Sequence, residues 1–184
     1  MAKYIYWLKN QVKNGANLTE KTASDYLDNL RRGDELFLDL SFPTISGYAD
    51  NGAIVHYEAE YETAKKLEAK GLYLFDSGAT YKDGTTDVTR TISLGENTYE
   101  EKLHYTLVTI GMLRLLNTIF KRGAIGVCLD IKAREALWEY GLDYNHGTGH
   151  GVGFVNTVHE APTSIRNKIN KDVFRNLEFE PGMI

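Results

Sequence analysis

The feature that most constrains the fold is a pair of predicted strands, each carrying an aspartate near the point where the chain turns back. Residues 72–76 form a short apolar strand that ends on Asp76, and residues 86–94 alternate in character, with Asp83-Gly84 between the two strands as a hairpin-turn signal. Two strands and a turn do not by themselves explain Asp76 and Asp87 on a half-buried face, because aspartate is depleted in strands. Neighbouring buried carboxylates need a shared proton or a cation, so the pair predicts a site for divalent metal ions.

This metal hypothesis makes a demand on the turn. A two-residue turn at Asp83-Gly84 sets Thr80, not Asp76, opposite Asp87. The two aspartates would then lie about four residues, or roughly 13 Å, out of register along the strands. We therefore expect residues 80–86 to form an irregular, bulged connection that brings both carboxylates to one pocket, with His150 entering from a neighbouring strand.

A second polar segment is rich in histidine and glycine. His146 and His150 lie four residues apart, among glycines at positions 147, 149, 151 and 153. Glycine-rich backbone often marks close approach to a ligand or to another backbone, although a single histidine is more often structural. Neutral imidazole completes a carboxylate site for manganese, cobalt, iron or zinc. His159 follows at a distance from which it can donate a proton to a reacting group, and His56 is a further candidate.

Apolar periodicity elsewhere predicts one α+β domain over residues 1–184, with helices covering one side of a sheet. Helices are expected over residues 4–14, from an N-cap at Thr19 to Gly33, over 99–121 and over about 126–140. Further strands are expected over 35–42 and 53–57. The first two helices are expected to bury Ile5, Leu8, Val12, Ala23, Tyr26, Leu27 and Leu30.

Composition and missing motifs exclude several functions. The 21 basic and 25 acidic residues give a formal charge of −4, which is no electrostatic footprint for nucleic acid or for anionic lipid. Neither a signal peptide nor a membrane span is expected, and the single cysteine, Cys128, suits a reducing, cytoplasmic compartment. The sequence has no G-x-S-x-G elbow, no dinucleotide-binding G-x-G-x-x-G and no P-loop, so serine-hydrolase and nucleotide chemistries are not indicated.

The polar segments together resemble one family. The hairpin, with D-G-T-T-D at residues 83–87, is similar to the metal-binding hairpin of aminopeptidase P, also called Xaa-Pro aminopeptidase. H-G-T-G-H at 146–150 and V-H-E at 158–160 resemble its second signature, and residues 39–46 and 53–57 match its upstream segments. The resemblance runs from about Trp7 to Ile184. It implies the pita-bread fold, a curved mixed or antiparallel sheet covered by helices, of which this chain is a C-terminally incomplete part.

The resemblance also implies a dinuclear metal site, usually with two manganese ions, zinc or cobalt being alternatives. The residues that match metal ligands are Asp76, Asp87 and His150. The residues that match substrate-binding histidines are His56, His150 and His159, and His159 also matches a catalytic residue that stabilises the tetrahedral intermediate. His146 matches a histidine that lines the pocket. Two further glutamate ligands, one of them the general base, lie beyond residue 184 in the family, so this segment alone is expected to be inactive.

The expected function is therefore a cytoplasmic metalloaminopeptidase that hydrolyses the bond before a penultimate proline in peptide substrates, with a homodimeric full-length protein. Prolidase, creatinase and methionine aminopeptidase are the near alternatives of the same fold. A rival of another class is a pita-bread module that binds peptides or proteins without catalysis. The presence of Asp76, Asp87 and His150 counts against that rival, because such a module does not need metal ligands. Glu58-Ala59 stands where the family often has a proline, which predicts a different loop near His56.

Overall fold

The computed structural model describes residues 1–155, 157–169 and 177–184, and the chain divides into two compact units. The first unit comprises residues 1–98 and 154–158, and the second comprises residues 99–153 and 159–184. The single catalytic domain expected over residues 1–184 stays a prediction. Among the described residues, no helix has the length and apolar character needed to cross a membrane.

Two helices open the first unit, α1 (Ala2–Lys13) and α2 (Glu20–Arg32), as predicted. The hydroxyl of Thr19 accepts a hydrogen bond from the Thr22 backbone amide and caps α2, which ends at Gly33. The buried face differs slightly from the expected one. Tyr4 is fully buried and Ile5 packs against the core while partly buried. Leu30 remains 37% exposed, so the assignment of Leu30 to the core was wrong.

The strands of the first unit form two small antiparallel sheets. Their bounds in chain order are β1 (Phe37–Leu40), β2 (Ile45–Tyr48), β3 (Leu72–Ser77), β4 (Ala79–Tyr81), β5 (Gly84–Thr85) and β6 (Val88–Ser93). One sheet has the order β1-β4-β5 and the other has the order β2-β3-β6. The hairpin that was predicted as one feature therefore contributes strands to both sheets.

The strand predicted over residues 53–57 is not formed. A 3-10 helix (Ala49–Ala53) and a turn occupy this region, and β2 is an additional strand that the sequence patterns did not indicate. The physical reason is a tertiary contact. The carboxylate of Glu20 is fully buried and accepts hydrogen bonds from the Tyr48 amide and from the side chains of Asn51 and Tyr57, which hold the segment as a compact loop.

The central strand β3 separates the core from the site. Every second residue of β3 points to its buried face, namely Tyr73, Phe75 and Ser77. The two aromatic rings pack into the apolar core with side chains of α1 and α2. The Tyr73 hydroxyl is hydrogen-bonded to the Tyr4 hydroxyl at 2.9 Å. Burial of one such aromatic side chain contributes about 1.5–3 kcal/mol, which fixes which face of β3 is turned inward. Asp76 therefore lies on the opposite face.

The described residues of the second unit form two helices and a short two-stranded sheet. Their bounds are α3 (Tyr99–Leu116), α4 (Gly126–Trp138), β7 (Gly149–Gly151) and β8 (Glu160–Ile165). Helices α3 and α4 pack closely at Gly111, where a Cβ atom would lie only 2.1 Å from the Ala133 carbonyl oxygen. The predicted helix over 99–121 is confirmed but ends earlier, at Leu116. Beyond it the Thr118 amide bonds to the Leu115 carbonyl, three residues back, instead of continuing the four-residue pattern.

Candidate metal centre

The register of the hairpin brings Asp76 and Asp87 close in the strand ladder. Asp76 is paired with Thr89 across β3 and β6, so Asp87 lies two residues from the position directly opposite Asp76. Positions two apart along extended backbone face the same side, so both aspartates belong to the face that β3 turns away from the core. Such diagonal neighbours are within reach of side chains that share a ligand.

The predicted irregular turn over residues 80–86 is wrong. Thr80 is paired with Thr85 and Tyr81 with Gly84, which leaves a tight two-residue connection at Lys82-Asp83. The turn is therefore centred one residue earlier than the Asp83-Gly84 signal indicated. Moving a turn by one residue changes the cross-strand partners by two, and this shift alone reduces the offset between the two aspartates from four residues to two.

The two aspartates flank a sharp corner of the hairpin. Between β3 and β4 the chain passes through Gly78, where a Cβ atom would lie 2.0 Å from the Thr86 carbonyl oxygen and 2.3 Å from the Ser41 hydroxyl. No side chain fits in that space, so the sequence requires glycine there. Ser41 secures the same corner, since its hydroxyl donates to the Thr86 carbonyl at 2.9 Å and its amide donates to the Gly78 carbonyl at 3.2 Å.

The second unit brings His150 and His159 together. Their rings lie edge to face with centroids 4.2 Å apart, and one ring nitrogen of each lies within 4.8 Å of the other. Nδ1 of His150 lies 2.9 Å from the Gly151 carbonyl oxygen. Because a carbonyl only accepts, this contact calls for a proton on Nδ1, and in that tautomer Nε2 is the ring atom that can bind a metal ion. The meeting of His150 with the two aspartates stays a prediction, since they belong to the other unit.

The glycine- and histidine-rich segment is held by a buried ion pair that the sequence analysis missed. Arg134 and Asp130 of α4 are fully buried, with Nε of Arg134 2.6 Å from a carboxylate oxygen of Asp130. Arg134 also donates to the carbonyl oxygens of Tyr144, at 2.5 Å, and His146, at 2.8 Å, while Asp130 accepts from the Thr148 hydroxyl at 2.6 Å. The available signal was an Asp and an Arg four residues apart on the helix face that also carries Ala133 and Leu137.

Arg134 reaches a second carboxylate at the start of this segment. Its Nη1 lies 2.8 Å from Oδ1 of Asp143. Burial acts to raise the pKa of the Asp143 carboxyl, but hydrogen bonds from Trp138 and Arg134 outweigh it and lower that pKa below its usual range. The segment before His150 is therefore fixed by charge-assisted hydrogen bonds at several points, which pre-organises it.

His56 and His146 complete the predicted set. His56 is exposed and has a left-handed backbone conformation, with φ of 57°, in the loop that Glu20 anchors through Tyr57. Burial and the hydrogen bond to Glu20 raise the pKa of Tyr57 to about 12. His146 is exposed and stacks on Tyr144 at 4.7 Å. Asp76, Asp87 and His56 therefore belong to the first unit, and the other three predicted histidines, His146, His150 and His159, belong to the second.

The chemistry of these side chains suits divalent metal ions. Two carboxylates on one strand face provide hard oxygen ligands that can bridge a pair of ions, and an imidazole with a fixed tautomer provides a borderline nitrogen ligand. Mixed oxygen and nitrogen sites of this kind suit manganese, zinc and cobalt. The residues present therefore fit the metal site that the sequence predicts.

Comparisons with known proteins agree with this chemistry. The model of metallopeptidase family M24 matches residues 1–184. A probable Xaa-Pro aminopeptidase P from Tuber melanosporum is 44% identical over 183 residues, which are 100% of this chain and 29% of that protein. A protein of the same name from Sordaria macrospora is 48% identical over 166 residues, which are 90% of this chain and 27% of that protein. The chain thus spans less than a third of the length of these relatives.

Two solved structures extend the comparison. The X-prolyl aminopeptidase of Caenorhabditis elegans, described as a cytosolic enzyme with a di-nuclear active site, has a TM-score of 0.89 and 39% identity, covering 97% of this chain and 28% of that one. The prolidase of Pyrococcus horikoshii has a TM-score of 0.76 and 27% identity, covering 91% of this chain and 45% of that one.

Proposed function

Since the chain belongs to metallopeptidase family M24 and has its pita-bread fold, we propose that it is part of a dinuclear-metal aminopeptidase that removes the residue before a penultimate proline. The observation that carries the proposal is the hairpin register, which sets Asp76 and Asp87 on one face two residues apart in the ladder. A non-catalytic peptide-binding module has no need for this arrangement. Two adjacent carboxylates on a half-buried face repel each other unless a cation lies between them.

We assign the metal ligands of this chain to Asp76, Asp87 and His150, with two manganese ions as the expected metals and zinc or cobalt as alternatives. When bound, such ions polarise a carbonyl group and lower the pKa of a water molecule. The family resemblance adds two glutamate ligands outside these 184 residues. Complete ligation therefore belongs to the full-length protein, for which we also propose a cytoplasmic location and a homodimer.

The histidines of the chain have separate roles in the proposal. His159 is exposed beside His150 and is assigned the catalytic role of donating a hydrogen bond or a proton to the reacting carbonyl oxygen. His56 binds the substrate from a loop whose conformation is fixed by the Glu20 contacts, and His150 is both ligand and substrate contact. His146 contributes to the wall of the pocket.

The preference for proline is supported by the names of the relatives, and the likeness to a prolidase keeps a dipeptidase of the same fold as the second candidate. The two differ in the length of peptide they accept. An aminopeptidase cleaves an Xaa-Pro tripeptide at its first bond, whereas a prolidase acts on the Xaa-Pro dipeptide. An Xaa-Ala tripeptide tests the requirement for proline.

The proposal is tested by peptide hydrolysis with the full-length protein. We expect cleavage of the Xaa-Pro tripeptide at its first bond, its loss after chelation and its recovery when manganese is returned. Asp87→Asn should abolish turnover without unfolding the protein, because it keeps the shape of the side chain and removes the negative charge. Asp83→Asn, in the exposed turn of the same hairpin, is the matched control and should remain active. Full activity of metal-loaded Asp87→Asn, or cleavage that survives chelation, would contradict the proposal.

A further inference from the structure

The guanidinium of Arg31, in the last turn of α2, contacts both strands of the hairpin beside the two aspartates. Its Nε donates to the Ser77 hydroxyl at 2.6 Å and one Nη donates to the Ser77 carbonyl oxygen at 2.8 Å. The other Nη donates to the Thr86 hydroxyl at 3.3 Å and lies 3.5 Å from the Tyr81 hydroxyl. One rigid side chain thus joins the end of β3 to the segment that leads into β6.

Two of the residues that Arg31 contacts are the sequence neighbours of the aspartates. Ser77 follows Asp76, and Thr86 precedes Asp87. Adjacent residues of extended backbone face opposite sides, so Arg31 holds the strands from behind while the carboxylates point to the other face. Ser77 is fully buried, which leaves it little freedom to move.

The Arg31 contacts lie at the corner of the hairpin, where the chain leaves one sheet for the other. Gly78 has no side chain to pack, and the chain passes there from one sheet to the other. The Thr86 hydroxyl bridges across this corner, since it accepts from the Ala79 amide at 3.1 Å and donates to the Ala79 carbonyl at 3.2 Å. A change in the Arg31 contacts would therefore alter the spacing between the strands at the level of the aspartates.

We propose that Arg31 is a positioning residue that fixes the separation of Asp76 and Asp87 before metal ions bind. The inference rests on the proposed function, since it concerns the same metal site. Two ions that share a carboxylate lie about 3.5–4 Å apart, and this geometry tolerates little variation in the spacing of the ligands. Lysine does not replace arginine here, because a single ammonium group does not reproduce the planar fork that reaches Ser77 and Thr86 together.

The test compares Arg31→Lys and Arg31→Gln with Arg32→Lys in the full-length protein. Arg32 is the matched control, because it is the next residue of the same helix and lies over the ring of Phe37, with no assigned role at the metal site. Manganese binding is measured by isothermal titration calorimetry on metal-free protein whose circular dichroism matches that of wild type. We expect manganese affinity to fall about 10–100-fold in both Arg31 variants, as for other residues that orient metal ligands, and to be unchanged in Arg32→Lys.

A second readout separates positioning from general support of the fold. At saturating manganese, the KM for the peptide should stay near the wild-type value, and turnover should recover in Arg31→Lys. Thr86→Val, which keeps the shape but loses the hydroxyl, should weaken manganese binding in the same direction. If Arg31→Gln fails to fold, Arg31→Lys and Thr86→Val carry the test.

Folded Arg31→Lys and Thr86→Val variants with wild-type manganese affinity would overturn the inference and leave the proposed function standing. Equal weakening in Arg32→Lys would also overturn it, because the effect would then belong to the helix and not to the Arg31 contacts. Absence of manganese binding and of peptide hydrolysis in the wild-type protein would overturn the proposed function, and this inference with it.

Discussion

Replacing Arg134 by methionine is expected to destabilise the protein strongly, because it breaks the buried ion pair of α4. Methionine replaces the aliphatic stem of arginine but carries no charge and no donor. The substitution leaves the fully buried Asp130 carboxylate with the hydrogen bond from Thr148 but without its cation. It also removes the donor that reaches the carbonyl oxygens of Tyr144 and His146.

The magnitude follows from these losses. Removing one partner of a buried ion pair costs about 3–5 kcal/mol, and the loss of the two carbonyl contacts of Arg134 keeps the expected value at about 4 kcal/mol or more. This is a large fraction of the roughly 5–15 kcal/mol that stabilises an ordinary domain. With a urea m-value of about 2 kcal/mol/M, a loss of about 4 kcal/mol lowers the unfolding midpoint by about 2 M.

The assay is equilibrium unfolding in urea followed by circular dichroism. Lys132→Met is the matched control, since Lys132 lies on the same helix in a half-exposed contact with Glu135 at 3.6 Å, and such a pair contributes about 0–1 kcal/mol. The double variant Asp130→Asn/Arg134→Met should be less destabilised than the sum of its two single variants, by about 0.5–3 kcal/mol. A loss below about 1 kcal/mol for Arg134→Met, or strict additivity in the double variant, would refute the reasoning.

Two further predictions concern the hairpin corner and the loop of His56. Gly78→Ala should cost about 1–3 kcal/mol of stability and weaken manganese binding, because the new Cβ atom meets the Thr86 carbonyl oxygen at 2.0 Å. The loss of stability is measured as a shift of the urea midpoint. The control Gly33→Ala, whose Cβ has no contact closer than 3.6 Å, should be near neutral. Tyr57→Phe removes the hydrogen bond to Glu20 and should cost about 1–2 kcal/mol. Folding raises the pKa of Tyr57 from about 10 to about 12, so the contribution of Tyr57 to the free energy of unfolding is complete below pH 10 and is lost as pH rises through 12. The free energy of unfolding, measured across this window, should therefore fall less steeply with pH in the Phe variant. Equal pH dependence in the two proteins would contradict the role given to the Tyr57 hydroxyl.

The helices and the strands flanking the site could be predicted from the sequence, because they depend on local periodicity and on the residues that start and end each element. Thr19 and Gly33 mark the two ends of α2 as predicted, and residues 72–76 form most of β3. The loop at 53–57 was not predicted, since its short run of consecutive apolar residues is also typical of a strand. Its conformation depends on the buried carboxylate of Glu20, which lies more than thirty residues earlier in the chain, and no local pattern reports such a contact.

In the candidate site, too, the features that depend on local sequence were predicted and those that depend on tertiary contacts were not. The types of its residues were predicted from their unusual polarity, but the geometry of the hairpin was predicted wrongly. An Asp-Gly pair is a strong turn signal, yet pairing across the corner at Gly78 determines the register and centres the turn on Lys82-Asp83. Arg31 was missed, because its partners are hydroxyls and a backbone carbonyl whose positions follow only from the folded chain. For Arg134 the spacing to Asp130 was visible in the sequence, but its contacts with the Tyr144 and His146 carbonyls were not.

The central claim is that Asp87 and Asp76 hold a common pair of metal ions, and metal content tests it most directly. Full-length wild type, Asp87→Asn and Asp83→Asn are loaded with manganese, dialysed against buffer and analysed by inductively coupled plasma mass spectrometry. The account predicts two ions per chain in wild type and in Asp83→Asn, and a loss of at least one ion in Asp87→Asn, because only Asp87 lies beside Asp76 in the ladder. A folded Asp87→Asn protein that retains two ions with wild-type affinity would contradict it.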